Sequence, residues 1–133
     1  MWFSVRWGLP LPGAPVPRHL VGMTLALAGV IIIVAARTSF ARENTTFSPL
    51  DPSRAAVLVT DGVYGLSRNP MYLGTWLALL GVGIMLGSLY SVLFSIVYVI
   101  WVDRLQIVPE ERLLAAEFGD SYQAYRRAVR RWV

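Results

Sequence analysis

The chain has 133 residues, which bounds it at a single domain. Hydrophobic residues make up 56% and charged residues 15%, against roughly 45–50% and about 25% in a soluble globular domain, so the apolar surface exceeds what a polar shell covers and lipid is the expected solvent. The net charge is +4 and all twelve cationic side chains are arginine. They flank apolar runs or crowd the C-terminal tail, a pattern of membrane topology rather than of a nucleic-acid surface. The absence of cysteine excludes disulfides, thiolate metal sites and a cysteine nucleophile, and the lone His19 cannot build an imidazole metal site, so no metal is expected.

Residues 1–19 read as a lead-in. Pro10, Pro12, Pro15 and Pro17 interrupt any signal-peptide core, and Trp2 and Trp7 suit the membrane surface. Residues 20–36, LVGMTLALAGVIIIVAA, carry no charge and just reach across about 30 Å of hydrocarbon at roughly 1.5 Å per residue. Residues 37–69 form a polar loop. Residues 70–108 hold two apolar runs, Met71–Leu86 and Leu89–Val102, separated by Gly87-Ser88, and read as a tight helical hairpin whose backbone must be helical in lipid. Tyr72, Trp76, Tyr90 and Trp101 extend its ends through the interface. Residues 109–133 read as an amphipathic tail helix. Pro109 suits its first position, Glu110 and Glu111 its positive end, and Tyr122, Tyr125, Val129 and Trp132 share one side among arginines.

The expected architecture is therefore all-α, a multi-pass membrane protein with about three transmembrane helices and a cytoplasmic amphipathic helix. Three spans put the loop and the tail on one side, with Arg37, Arg42, Arg54, Arg68, Arg104, Arg112, Arg126, Arg127, Arg130 and Arg131, against Arg6 and Arg18 on the other. The positive-inside rule makes the richer side cytoplasmic, in a cell membrane expected to be a bacterial inner membrane. A further helix upstream would leave that assignment unchanged. Gly81-Val82-Gly83 is no dinucleotide motif, lacking a preceding strand, and Gly83 and Gly87 read as a small-residue packing face.

Two polar clusters flank the hairpin. The first is Leu58-Val59-Thr60-Asp61-Gly62-Val63-Tyr64-Gly65-Leu66-Ser67-Arg68-Asn69-Pro70-Met71-Tyr72-Leu73-Gly74. The second is Pro109-Glu110-Glu111-Arg112-Leu113-Leu114, then Phe118-Gly119-Asp120-Ser121-Tyr122-Gln123-Ala124-Tyr125. A two-residue turn makes the outer ends of a hairpin neighbours, so the clusters are expected to face each other across one mouth. Together they resemble the signature of the isoprenylcysteine carboxyl methyltransferase and phospholipid methyltransferase superfamily, L-V-T-x-G-x-Y-x-x-x-R-(H or N)-P-x-Y-x-G followed by E-E-x-x-L-x-x-x-F-G-x-x-Y-x-x-Y. The likeness covers about residues 56 to 132.

The resemblance implies S-adenosyl-L-methionine as cofactor. By position it assigns Ala56, Val57, Leu58, Val59, Tyr64, Asn69, Pro70, Met71, Tyr72 and Glu110 to cofactor contact; Arg68, Glu111, Tyr122 and Tyr125 fall on further motif positions. The residue types suit that ligand independently. A desolvated Glu110 favours a cation, Arg68 matches a carboxylate, and Tyr64 and Tyr72 offer ring faces to adenine or sulfonium. Arg68 and Glu110 are the candidate catalytic pair. Each has a plainer role available: Glu110 and Glu111 as a helix start, Arg68 as a topology anchor, Tyr72 as interfacial belt.

The implied reaction is methyl transfer to a lipophilic acceptor drawn from the bilayer: a prenylcysteine-like carboxylate, a phospholipid amine or another small hydrophobic nucleophile. An in-line displacement on an activated sulfonium needs positioning and dryness more than acid–base chemistry. No His or Cys base flanks the clusters, which favours an acceptor already anionic. In the prenylcysteine branch an arginine precedes the first glutamate by four residues; here Gln106 stands there, and Arg104 lies two residues earlier, so these two are the candidate substrate contacts. The usual histidine is Asn69. The competing reading is a non-catalytic membrane subunit or scaffold whose basic tail holds a partner; a small transporter would want an ionisable residue deep in a span, which the apolar runs lack. The acceptor and the oligomeric state are not legible in these residues.

Overall fold

The computed structural model describes residues 18–43 and 57–133. The reading of residues 1–17 as a lead-in, including Trp2 and Trp7, and the assignments of Arg54 and Ala56 lie outside the described residues. Within them the chain is helical, without a β-strand. Helix α1 spans Arg18–Arg42, α2 Pro70–Leu86, α3 Leu89–Val102 and α4 Val108–Ala128.

Helix α1 overruns the apolar stretch at both ends. Thr38 and Ser39 would ordinarily weaken a helix end by competing for backbone groups. Here both hydroxyls donate to the Ala35 carbonyl, at 2.8 and 3.1 Å, and the helix continues far enough to bring Phe40 to the site.

Helices α1 and α2 pack antiparallel through facing glycines seven residues apart on each. Gly22 meets Gly81 and Gly29 meets Gly74. A Cβ on Gly22 would stand 2.5 Å from the Gly81 carbonyl oxygen, and one on Gly74 would stand 2.6 Å from that of Gly29. Only bare backbone permits this approach, the packing mode of helices in lipid. Gly83 instead abuts α3 at Ser91 and Val92. Gly87 does not share that face, contrary to the expected Gly83–Gly87 stripe. It is the C-cap of α2, left-handed at φ 64°, and donates its N–H to the Ile84 carbonyl at 3.0 Å. A positive φ there costs glycine little, and the chain reverses at once into α3 with the Arg18 guanidinium beside the turn.

The hairpin and the tail are not separate helices. A π-helical turn, Asp103–Ile107, joins α3 to α4, so one helix runs from Leu89 to Ala128. Pro109 supplies a reason. Inside an α-helix its ring would strike a carbonyl one turn earlier and its missing N–H would orphan an acceptor; the wider π turn immediately before it relieves both. The tail helix also ends earlier than expected. Val129 is extended, at φ −123° and ψ 131°, and residues 129–133 leave the helix. Gly119, at φ 49° and ψ −121°, kinks α4 on the way.

Two helices are long and apolar enough to cross a membrane, Arg18–Arg42 and the apolar part of the Leu89–Ala128 helix, where three had been expected. Helix α2, with 17 residues, measures about 25 Å at roughly 1.5 Å per residue, short of a full span. Large apolar side chains such as Leu27, Ile31, Phe94 and Ile100 point outward from α1 and α3, a surface that suits lipid rather than water. The fold sets the end of α1, the start of α2 and the π turn at one end of the bundle, opposite Gly87.

Candidate functional site

The segment before α2 is built around a small core of Ala36, Val59 and Tyr64, edged by Phe40, Val63 and Met71. A 3-10 turn, Gly62–Gly65, presents Tyr64 inward. Its ring meets Phe40 edge to face at 5.2 Å, and its carbonyl accepts the Tyr125 hydroxyl hydrogen at 2.7 Å. Burial pushes the hydroxyls of both tyrosines well above their ordinary range, so both stay protonated. Asn69 sits at φ −132° and ψ 52°, outside the α region that a following proline disfavours, and Pro70 then opens α2.

Across the mouth, α4 presents its acidic face. Glu110 is only 6% exposed. Tyr72 donates to its Oε1 at 2.7 Å and Gln106 Nε2 to the same oxygen at 2.9 Å. Burial raises the Glu110 carboxyl above the ordinary glutamate value, and the two donated hydrogen bonds pull it partly back. Glu111 pairs with Arg68 Nη1 at 2.8 Å, which also donates to the Tyr122 hydroxyl at 3.3 Å. Arg68 Nε is buried without a partner among the described residues.

These groups line one cleft, partly open to the outside. Of the residues singled out in the sequence, Val57, Leu58, Val59, Tyr64, Arg68, Asn69, Met71, Tyr72 and Glu110 line it. Pro70 is fully buried and does not. Gln106 acts on the cleft through Glu110. Arg104 stands apart: its side chain is 79% exposed, and it borders a separate groove with Val99, Asp103 and Trp132. Two residues before Gln106, Arg104 falls on a different helix face from the Gln106–Glu110 pair.

Five further residues line the cleft: Phe40, Glu111, Leu114, Tyr122 and Tyr125. The two tyrosines and Glu111 stand in the quoted signature, and Leu114 follows Glu110 by one helical turn, so all four had a signal. Phe40 had none, lying past the end of an apolar run on a helix extension that only the structure reveals.

The structure thus folds two sequence clusters about a helical turn onto a buried carboxylate, and the comparisons supply the family. The family described as phospholipid methyltransferase matches residues 17–121, and the chain belongs to it. Among curated proteins, a protein-S-isoprenylcysteine O-methyltransferase of Schizosaccharomyces pombe is 44% identical over 75 residues, 55% of this chain and 31% of the relative. Protein-S-isoprenylcysteine O-methyltransferase A of Arabidopsis thaliana is 33% identical over 110 residues, 81% of this chain and 55% of the relative. A Haemophilus influenzae protein, described only as uncharacterized, is 38% identical over 63 residues, 47% of this chain and its own whole length. The matches thus span a third to about half the length of the two named methyltransferases.

Proposed function

We propose that the chain transfers a methyl group from S-adenosyl-L-methionine to a lipophilic acceptor at the cytoplasmic face of the cell membrane. The observation that carries this reading is the cleft itself, where Tyr64 and Tyr72 face a buried Glu110 across the hairpin mouth. In this reading α1, α2 and α3 all cross the bilayer, with α2 held between its two neighbours, and α4 lies beyond the hydrocarbon.

The residues present suit the donor. Its sulfonium and ammonium are cations, and Glu110 is a desolvated carboxylate with no ion-pair partner among the described residues. Both hydrogen bonds found on that carboxylate arrive at Oε1, which leaves Oε2 for an ammonium or a ribose hydroxyl. Tyr64 and Tyr72 supply ring faces. Arg68 lines the same cleft and offers the donor's carboxylate the edge of its guanidinium that Glu111 leaves. When bound, the donor supplies an electrophilic methyl on a sulfonium that departs as a neutral thioether. The protein's part is to orient that methyl and keep the cleft dry with Val57, Val59, Met71 and Leu114.

Among the described residues no histidine lines the cleft to serve as a base, so an anionic acceptor, which needs no deprotonation, suits it best. Two relatives are named for prenylcysteine O-methylation. Here Gln106 is committed to Glu110 and cannot neutralise a carboxylate, so the acceptor class is left as a small hydrophobic nucleophile.

Calorimetry in detergent with S-adenosylmethionine and its demethylated product tests the proposal. Micromolar to submillimolar binding, followed by transfer of labelled methyl to a lipid extract, is the expected result. A folded protein that binds neither compound at millimolar concentration ends it. Binding without any transfer favours the non-catalytic subunit instead.

A further inference from the structure

The last five residues lie beyond the segment that the family match covers, residues 17–121, yet they are tied into the floor of the cleft. After α4 stops at Ala128 the chain turns back along Ser67–Asn69. Arg68 N–H donates to the Arg130 carbonyl at 3.0 Å. The Ser67 hydroxyl and the Asn69 amide both donate to the Arg131 carbonyl, at 3.3 and 3.1 Å. The Arg131 side chain then turns inward. Its Nε and Nη2 hold the two oxygens of Glu111 at 3.1 and 2.7 Å, and its Nη1 reaches Asp103 at 3.2 Å. Arg68, Glu111, Arg131 and Asp103 form a chain of alternating charge.

We propose that Arg131 is a positioning residue of the cleft: its bidentate grip fixes Glu111, Glu111 fixes Arg68, and the strap it anchors sets the loop that carries Asn69 into α2. A guanidinium suits this task because its planar fork engages both oxygens of one carboxylate and still reaches a second. A tail helix lying on the membrane would spend Arg131 on lipid phosphates. Instead it is two-thirds buried and paired with two acids. Arg126, Arg127 and Arg130 remain exposed and are free of this role. The inference rests on the proposed cofactor site, which it deepens.

The test combines cofactor affinity with a measurement that needs no cofactor. Arg131→Met is expected to weaken binding of the demethylated product about tenfold or more, roughly the effect of losing a charge-assisted bidentate contact. Arg131→Lys should recover part of the loss, and millimolar methylguanidinium added to Arg131→Ala should recover more. In an affinity cycle, Arg131→Met should add little to Glu111→Gln, since both break the same link. Unaltered affinity in a folded Arg131→Met protein, or full additivity in the cycle, overturns the proposal. Should Met fail to fold, the Lys variant and the methylguanidinium titration decide the matter alone. Hydrogen exchange at Arg68 N–H should quicken in every Arg131 variant, and unchanged exchange there also overturns the proposal. If the wild type binds no cofactor, the methyltransferase reading falls by itself, and the exchange measurement still judges whether Arg131 holds the loop.

Discussion

Tyr72 donates its hydroxyl hydrogen to Glu110 Oε1 at 2.7 Å, closing the mouth of the hairpin between residues 38 positions apart. The bond joins the first turn of α2 to the first turn of α4, and Gln106 adds a second donor to the same oxygen. A buried carboxylate held by two neutral donors, with no ion-pair partner among the described residues, is prepared for a cationic ligand. Glu110→Gln keeps the shape and removes the charge, and should weaken cofactor binding at least about tenfold, the scale of one charge-assisted contact in a desolvated site. Calorimetry on the folded variant checks this; equal affinity would remove Glu110 from the site.

The same carboxylate gives a pH signature. Burial raises its folded-state pKa, and the hydrogen bonds from Tyr72 and Gln106 lower it. A raised carboxyl contributes stability that is fully present below its unfolded pKa and lost as pH rises through the folded one. Cation binding runs the other way, since it needs the ionised form. As pH climbs from the unfolded glutamate value through the raised one, the apo protein should lose melting temperature while affinity for the cofactor increases. Glu110→Gln should abolish both trends at this position. Tyr72→Phe removes a lowering contact and should move the window upward. Parallel melts and titrations of the three proteins, each compared across the same pH range, are sufficient.

The site was more legible than the fold around it. The two-residue turn implied that the two clusters would face each other, the resemblance singled out Tyr64, Arg68, Asn69, Tyr72 and Glu110 within them, and all five line the cleft. Two kinds of feature escaped. One depends on helical continuity: a five-residue π turn joins the hairpin to the tail in one helix, and no composition signal announces a π turn. The other depends on a partner distant in sequence. Arg131 reads as one more basic tail residue until Glu111 and Asp103 are seen beside it. Gly22, Gly29, Gly74 and Gly81 show an intermediate case. The sequence pointed to Gly83 and Gly87 as the packing face, whereas the pairs that meet are set by the antiparallel register of α1 and α2.

Membrane orientation can be tested without background, since the chain has no cysteine. Ala41 and Ala124 are exposed at the end of the bundle that holds the cleft, and Tyr90 is exposed near the opposite turn. In intact cells a membrane-impermeant thiol reagent should label Tyr90→Cys and spare Ala41→Cys and Ala124→Cys until the membrane is permeabilised. The reverse pattern would place the cleft outside, and labelling of all three would argue against the spans.

Glycine substitutions should fail for two different reasons. At Gly29 a Cβ would collide with the backbone of Gly74 and Ala78, so Gly29→Ala must push α1 away from α2. At Gly119 nothing lies within 4 Å of a new Cβ, but φ is 49° with ψ −121°, a region that side chains avoid. Gly119→Ala should cost about 1–3 kcal/mol of backbone strain and straighten α4 rather than part the helices. Thermal melts measure both losses. Crosslinking between α1 and α2 should fall for Gly29→Ala and hold for Gly119→Ala, and an identical response would refute the distinction.

Tyr125 separates docking from ligand contact. Its hydroxyl donates to the Tyr64 carbonyl at 2.7 Å in a buried setting, and its ring stands 6.3 Å from Tyr122. Tyr125→Phe keeps the ring and leaves the Tyr64 carbonyl without this donor, a loss of about 1–3 kcal/mol for a buried acceptor left unpaired. Because the bond reaches the backbone of Tyr64 and not its ring, the ring's face toward the cleft should persist. The expected result is a lower melting temperature with cofactor affinity changed by no more than about threefold, under 1 kcal/mol. Tyr64→Ala deletes the ring and should lose affinity about tenfold or more, the combined scale of a stacking face and a cation–π contact. If Tyr125→Phe matched Tyr64→Ala in affinity while holding its melting temperature, Tyr125 would be touching the ligand rather than bracing the turn that does.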